Sequence, residues 1–540
     1  MKHLFLITLL ASSLFAQAQD AVRTADSLDV AYFNWQNKDL KTDKIMGMSV
    51  EKTYQTLIKD KKPAKTIIVA VIDGGVDIKH EDLAGKIWVN EKEIAQNGKD
   101  DDGNGYIDDI HGWNFMGNAQ GENYSKEVYE YVRIYRDLLP TYGELNSTDG
   151  LNEKQKAEYA RFKDSEQKLN KEREEYSQAG KDIAQFEMQY KQIIAFLANE
   201  TKVEVNTKAD LAKVTSSDKT IQEMVKYLEM LFDNGFSAAA LEEYKKDIDE
   251  KLNFNLNPDF NPRAEVVGDD VHDISQTNYG NADVKGPTSE HGTMVAGMIT
   301  ANRTNQIGTL GVAEGVKIMA LRAVPNGDEY DKDIALAIRY ATDNGAHIIN
   351  MSFGKGESPD QWMVQEALQY ASDKGVLLVH AAGNDSKNLD VEPNFPSPYN
   401  TSGNKIPLML TIGASAKEKG KEMAASFSNY GKKTVDIFAP GEQISTTYPE
   451  NKYKLVDGTS FAAPAVSGVA ALVWSYYPEL TVQQLKEILL RSGYKAGKQK
   501  VIVPGGDKKD IVKFASLSET GNLVNAYQAF IMAEKMNTKK

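Results

Sequence analysis

An aspartate, a histidine and a serine stand in settings suited to acid–base and nucleophilic chemistry. Asp73 follows Thr66-Ile67-Ile68-Val69-Ala70-Val71-Ile72, an unbroken apolar run rich in β-branched residues. Such a run reads as a strand buried on both faces of a parallel sheet. An acidic residue at its carboxyl end sits where α/β folds place ligands and catalytic groups, although a turn-capping aspartate would occupy the same place. His291 opens His291-Gly292-Thr293-Met294-Val295-Ala296-Gly297-Met298-Ile299, a helix-like stretch whose Gly292, Ala296 and Gly297 permit close backbone packing. Among seven histidines, that setting singles it out. Ser460 lies in Gly458-Thr459-Ser460-Phe461-Ala462-Ala463-Pro464, ahead of an apolar helix predicted over 462–475 with Pro464 in its first turn, where proline is tolerated. A hydroxyl there faces free backbone N–H groups and the positive end of the helix dipole. It could be an N-cap worth about 1 kcal/mol, or a nucleophile whose developing charge those groups meet.

A second chemistry is written in Asp100-Asp101-Asp102-Gly103-Asn104-Gly105-Tyr106-Ile107-Asp108-Asp109. Oxygen ligands alternate at Asp100, Asp102 and Asn104, Gly105 is sixth, Tyr106 offers a carbonyl and Asp108 is ninth, which is the register of an EF-hand loop. The twelfth residue is His111 and not glutamate, so the bidentate ligand must come from elsewhere, with Asp109 as the candidate. An acidic, solvated turn has the same composition. Carboxylates this close repel unless a cation is present, so calcium is the expected, structural, cofactor.

These residues need a scaffold. Strand-like runs recur at 317–321, 346–350 and 375–379, with helical stretches at 331–343 and 359–372 between them. Strand and helix alternating at short spacing give an α/β fold with helices on both sheet faces. The stretch from about Gly117 to Pro262 breaks the rhythm. Phe162, Leu169, Tyr176, Ile183, Tyr190 and Leu197 fall at heptad spacing, with Phe186 and Ile193 beside that row. This predicts a long amphipathic helix with a coiled-coil-like seam. Shorter helices at 128–139 and 221–232 could cover it.

The aspartate motif Val71-Ile72-Asp73-Gly74-Gly75-Val76, the histidine motif His291-Gly292-Thr293 and the serine motif Gly458 to Pro464 resemble those of the subtilase family, in that family's order. The resemblance covers roughly residues 45–117 and 275–530. It implies a subtilisin-like three-layer fold, with a mostly parallel central sheet flanked by helices, plus an all-α inserted subdomain. It also implies a serine endopeptidase. Ser460 would be the nucleophile, His291 its general base and Asp73 the group that orients the imidazole. Ala381-Ala382-Gly383-Asn384 is similar to the segment carrying the family's oxyanion asparagine, which would be Asn384; Gly-Asn is also turn-prone. Asn350-Met351-Ser352-Phe353-Gly354 is similar to the strand end lining the first specificity pocket. Ser352, Phe353 and Gly354 would pair with an extended peptide. Small residues at Ala381, Ala382 and Gly383 would leave room for a sizeable apolar side chain. A peptide ligase or cyclase, or a non-catalytic binding scaffold, on the same fold are the alternatives.

The chain's 540 residues are too many for one compact core. A net charge of −14 argues against nucleic acid as a partner, and proteins or peptides are the expected substrates. The absence of cysteine excludes disulfides and zinc–thiolate sites. Lys2 and His3, the apolar run 4–15 and Ala16-Gln17-Ala18 form a signal-peptide pattern, with cleavage expected after Ala18 and a secreted or periplasmic destination. No later stretch suits a membrane span. The expected organisation is a signal peptide at 1–18, a segment packing on the catalytic domain at 19–65, catalytic parts at 66–117 and 265–540, and a helical insertion at 118–264. The insertion could gate, brace, bind a partner or self-associate. Gln19 to Lys65 is short for the family's usual prodomain, and Met46 to Lys52 looks like the opening helix of the domain itself.

Overall fold

The computed structural model describes residues 34–537; the expected signal peptide lies outside them. The chain divides into two compact units, Tyr131–Asn261 and the residues on either side of it.

The second unit is built on a nine-stranded sheet. Its strands include β1 (Ile67–Asp73), β2 (Gly112–Asn114), β3 (Val316–Arg322), β4 (Ile348–Met351), β5 (Leu377–Ala381), β6 (Met409–Ser415) and β7 (Ile437–Pro440). They run parallel in the order β7-β6-β5-β4-β1-β3-β2. Asn522–Leu523 and the antiparallel Tyr494–Lys495 extend the β7 edge. The apolar run places β1 in the middle, because both its faces can be buried there. Ile67, Val69 and Val71 join one core with Val295 and Ile299 of helix Glu290–Thr300 and Val466 and Val469 of helix Thr459–Tyr476. Ala70 and Ile72 face the other core, with Ile334 and Ile338 of helix Asp331–Asp343 and Leu368 of helix Gln361–Asp373. Alternation along one strand thus makes three layers, and each fully buried Val or Ile contributes about 1.5–3 kcal/mol relative to exposure.

The segment 34–65 contributes to the first of these cores. Trp35, Met48, Val50 and Ile58 are buried with β1, and Trp35 Nε1 donates to the Gln443 carbonyl at 2.9 Å.

The helical unit is narrower than the sequence suggests. Residues 118–130 and 262–264 belong with the sheet unit. The reason lies in charge: Arg263 is 2% exposed, and its guanidinium bonds Asp333 at 2.6 and 2.9 Å, Asp269 at 2.8 and 2.9 Å, and Tyr124 at 3.0 Å. A cation buried this deeply needs those partners in place. Within Tyr131–Asn261, one helix runs from Glu153 to Thr201, opened by a reciprocal cap between Asn152 and Gln155. Phe162, Leu169, Ile183, Phe186 and Leu197 are buried along it, while Tyr176, Tyr190 and Ile193 are half-buried. Helices Lys219–Asp233 and Ala238–Glu250 close the C-terminal half of the seam through Leu228, Leu231, Leu241 and Ile248. Tyr135 stacks on Phe162 at 5.6 Å between ring centres at the other end. No helix among the described residues is long and apolar enough to cross a membrane.

Candidate active site

Asp73, Ser352 and Asn384 lie at or just beyond the carboxyl ends of the neighbouring strands β1, β4 and β5. In an open parallel sheet these ends border the ligand crevice. Asp73 is 2% exposed, and its Oδ1 accepts the Gly74 N–H at 2.8 Å. Helix Glu290–Thr300 carries His291 to it across a sequence separation of 218. Its Nδ1 lies 2.9 Å from each carboxylate oxygen. A carboxylate can only accept, so the proton sits on Nδ1 and Nε2 is left as the basic nitrogen. Burial opposes the imidazolium, but the charge of Asp73 and its hydrogen bond outweigh burial and raise His291 above its ordinary value. The approach depends on Gly292. A Cβ there would collide with the Gly75 carbonyl and come within 3.0 Å of Asp73 Cβ.

Ser460 is the second residue of helix Thr459–Tyr476, with Gly458 at the N-cap, so it is not a capping serine. The ring of the next residue, Phe461, lies 5.7 Å from that of His291. Ser460 Oγ donates to the Ser352 carbonyl at 3.1 Å. Pro464 falls inside the helix and beyond the first turn, contrary to the sequence expectation. Its missing N–H frees the Ser460 carbonyl, and Ser352 Oγ donates to that carbonyl at 2.8 Å. Asn350 Nδ2 donates to the same Ser352 hydroxyl at 2.9 Å, and Ser467 Oγ donates to Asn350 Oδ1 at 2.8 Å. Proline is therefore accommodated because a buried polar chain from β4 replaces its backbone bond.

Asn384 is exposed, but its orientation is set. Its Oδ1 accepts from both the backbone N–H and the hydroxyl of Thr459, each at 2.9 Å, which turns Nδ2 outward as a donor. A Cβ placed on Gly458 would lie 3.5 Å from Asn384 Nδ2 and 3.6 Å from Ser460 N, so these two donors border one space. Two supporting residues escaped the sequence reading. Thr459 Oγ1 also accepts the Gly383 N–H at 3.0 Å. Asn429, fully buried, donates to the Ala382 carbonyl at 2.9 Å and accepts the N–H groups of Asp385 and Lys387 at 3.0 and 2.7 Å. Thr459 stood in the quoted serine motif; Asn429 carried no local signal.

The substrate-site candidates separate. Phe353 packs on the second core, and its carbonyl accepts His380 Nε2–H at 2.9 Å. Burial pushes His380 down to about 4 against that bond, so it is neutral. Lys355 and Phe395 exchange both backbone bonds, at 3.1 and 2.9 Å, beside Gly354. Ala381 and Ala382 are 2% and 0% exposed, with Ala381 in the first core and Ala382 in a further cluster. Packing at the end of a doubly buried strand explains their small size. Gly383 is the partly exposed member of the trio.

The side chains of the acidic loop accept hydrogen bonds from within the protein. Asp108 accepts the N–H groups of Asn97 and Gly98 at 3.1 and 2.9 Å. Asp109 is fully buried, accepting from Asn90 and Asn104 amides at 2.9 Å and from the Tyr340 hydroxyl at 2.5 Å. Asn104 Oδ1 accepts the Tyr106 N–H at 2.8 Å. Asn104 thus closes a local turn, while Asp108 and Asp109 tie the loop to 97–98, Asn90 and Tyr340. Asp100 and Asp102 instead come together with Glu93, which the sequence reading did not include.

Comparison with known proteins gives a match to the subtilase family model over residues 64–507. The chain is 39% identical over 198 residues to the thermostable alkaline protease of Halalkalibacterium halodurans, covering 36% of this chain and 50% of the relative. It is 37% identical over 205 residues to the thermophilic serine proteinase of Bacillus sp. AK1, covering 38% and 46%. It is 36% identical over 201 residues to subtilisin DY of Bacillus licheniformis, covering 37% and 68%. The chain thus spans about half the length of the first two of these curated relatives.

Proposed function

This chain belongs to the subtilase family, and we propose that it is an exported serine endopeptidase acting through Asp73, His291, Ser460 and Asn384. The observation that carries this reading is the His291 Nδ1 contact with both oxygens of Asp73, at 2.9 Å, with Phe461, the residue after Ser460, against the same imidazole. In the reaction Ser460 Oγ gives up its bond to the Ser352 carbonyl and passes its proton to Nε2 of His291. The imidazole takes the hydroxyl proton as Oγ attacks the scissile carbonyl, and Asp73 stabilises the imidazolium that forms. Asn384 Nδ2 and the Ser460 N–H receive the oxyanion. His291 then protonates the leaving amine, and the Ser460 ester is hydrolysed by water with His291 again as base.

An extended peptide pairs with backbone at Ser352 to Gly354, a mode largely blind to sequence. Substrates are proteins and peptides. The signal-like pattern at residues 1–18 supports export to the periplasm or the medium. The burial of Trp35, Met48 and Val50 supports a segment 34–65 that stays with the working domain; a mature enzyme beginning well beyond Lys65 contradicts this. Hydrolysis of a casein-like protein by the wild type, abolished in Ser460→Ala, is the expected result. Equal hydrolysis by both sinks the proposal.

A further inference from the structure

A cavity of about 600 Å³ opens beyond the carboxyl ends of β6 and β7. Its walls include Ser426, Glu442 and Gly505, the last from the loop that joins the antiparallel strands Lys500–Ile502 and Ile511–Lys513. The cavity borders the candidate active site on two sides. The Gly505 N–H and Ser386 Oγ both donate to the Ser426 carbonyl at 2.8 Å, and Ser386 follows closely on Asn384. The carbonyl of Gly441, next to Glu442, accepts the Gly458 N–H at 2.7 Å, and Gly458 is the N-cap of the helix that carries Ser460. Glu442 is half-buried. Burial, then the negative charges of Asp457 and Glu422, hold its carboxyl above the usual carboxylate range. No cation or hydrogen-bond donor acts on it among the described residues, so Lys417 and Lys508 of the cavity wall leave it uncompensated.

We propose that this cavity receives a lysine or arginine side chain from the leaving-group side of the substrate, a role that presupposes the peptide hydrolysis at Ser460 proposed above. The side follows from the order of the sheet. The acyl half of an extended peptide pairs with Ser352 to Gly354, at the end of β4, and Asn384 lies at the end of β5. β6 and β7 come next, on the side away from β4. A peptide that crosses Asn384 and Ser460 therefore brings its leaving half towards the cavity. The charge selects the side chain. A long cationic side chain has room to enter and sets its charge against Glu442, with Glu422 and Asp457 adding attraction. A carboxylate meets like charges in the same place, and a neutral side chain of similar length gains nothing from them.

The test follows hydrolysis by the full chain of a peptide set in which lysine, glutamine or glutamate stands in turn at successive positions after the scissile bond. At one position lysine should raise kcat/KM by about 10-fold over glutamine and glutamate should lower it, with the lysine advantage shrinking as salt rises. Glu442→Gln should bring the lysine-to-glutamine ratio close to one. Far-UV circular dichroism checks that this variant is folded; Glu422→Gln, at an exposed side chain, should lower the same ratio and serves if Glu442→Gln is not. Fluorescence anisotropy of the labelled peptides on Ser460→Ala reads the cavity without hydrolysis, and the lysine peptide should again bind more tightly. Equal kcat/KM for lysine and glutamine at every position, or a lysine preference that persists in folded Glu442→Gln, overturns the cavity's role and leaves hydrolysis at Ser460 standing. Tighter binding of the lysine peptide by a chain that cleaves none of the set supports the cavity and counts against the proposed hydrolysis instead.

Discussion

The sheet unit and the helical unit bury their side chains differently, and the difference separates chemistry from scaffolding. In the sheet unit β1 is buried on both faces, so its last residue, Asp73, is held by two cores at once. In the helical unit the helix Glu153–Thr201 buries one stripe and leaves Met188 and Phe196 60% and 41% exposed. A bond-breaking site needs side chains held to a fraction of an ångström, and a one-stripe helix provides no such constraint. Every residue assigned here to peptide hydrolysis lies in the sheet unit.

The comparison breaks most readily at Asp73. Asp73→Asn is expected to lower kcat by roughly 10⁴-fold, the effect of the same change in other serine proteases. The pH profile sharpens it. Neutral His291 is the active form, and Asp73 raises its pKa, so wild-type kcat/KM should rise with pH through a value above 6.5. Without the carboxylate charge, burial dominates, and the residual activity should rise at lower pH. A profile that does not move separates Asp73 from His291. The sign for stability is opposite: the contribution of the Asp73–His291 pair is complete below the unfolded histidine pKa and is lost as pH rises through the raised one.

Asn384→Ala should cost on the order of 10²–10³ in kcat with little change in KM, the loss seen for one oxyanion donor in subtilisin, a relative of this chain. A change confined to KM would assign Asn384 to substrate binding instead. The smallest catalytic effect is expected from the other region. Phe186→Ala should destabilise Tyr131–Asn261 by about 3–5 kcal/mol, read as a lowered melting transition of that unit, and leave kcat for a short peptide unchanged. A parallel fall in kcat would show that the helical unit takes part in catalysis.

Much of this was legible because it is local. The run 66–72 became β1 at Ile67–Asp73, helix 331–343 formed as Asp331–Asp343, and the heptad row fell within one helix. The regular row marked the stripe without grading it, since Tyr176 and Tyr190 are only half-buried. What escaped is non-local and polar. Asn350 meets Ser467 from 117 positions away, Asn429 holds the Asn384 loop from 44 positions away, and Glu93 joins Asp100 and Asp102 outside any repeating register. No periodicity records such pairs. Pro464 was misplaced for the same reason, because the hydroxyl that replaces its bond comes from Ser352, just beyond the end of β4.

The most direct test is labelling with a fluorophosphonate probe, which reacts with an activated serine, followed by peptide mass mapping. The predicted result is one adduct per chain, on Ser460, lost in His291→Ala. An adduct on another serine, or no adduct on a folded chain that still cleaves peptides, would contradict the assignment of Ser460 and His291.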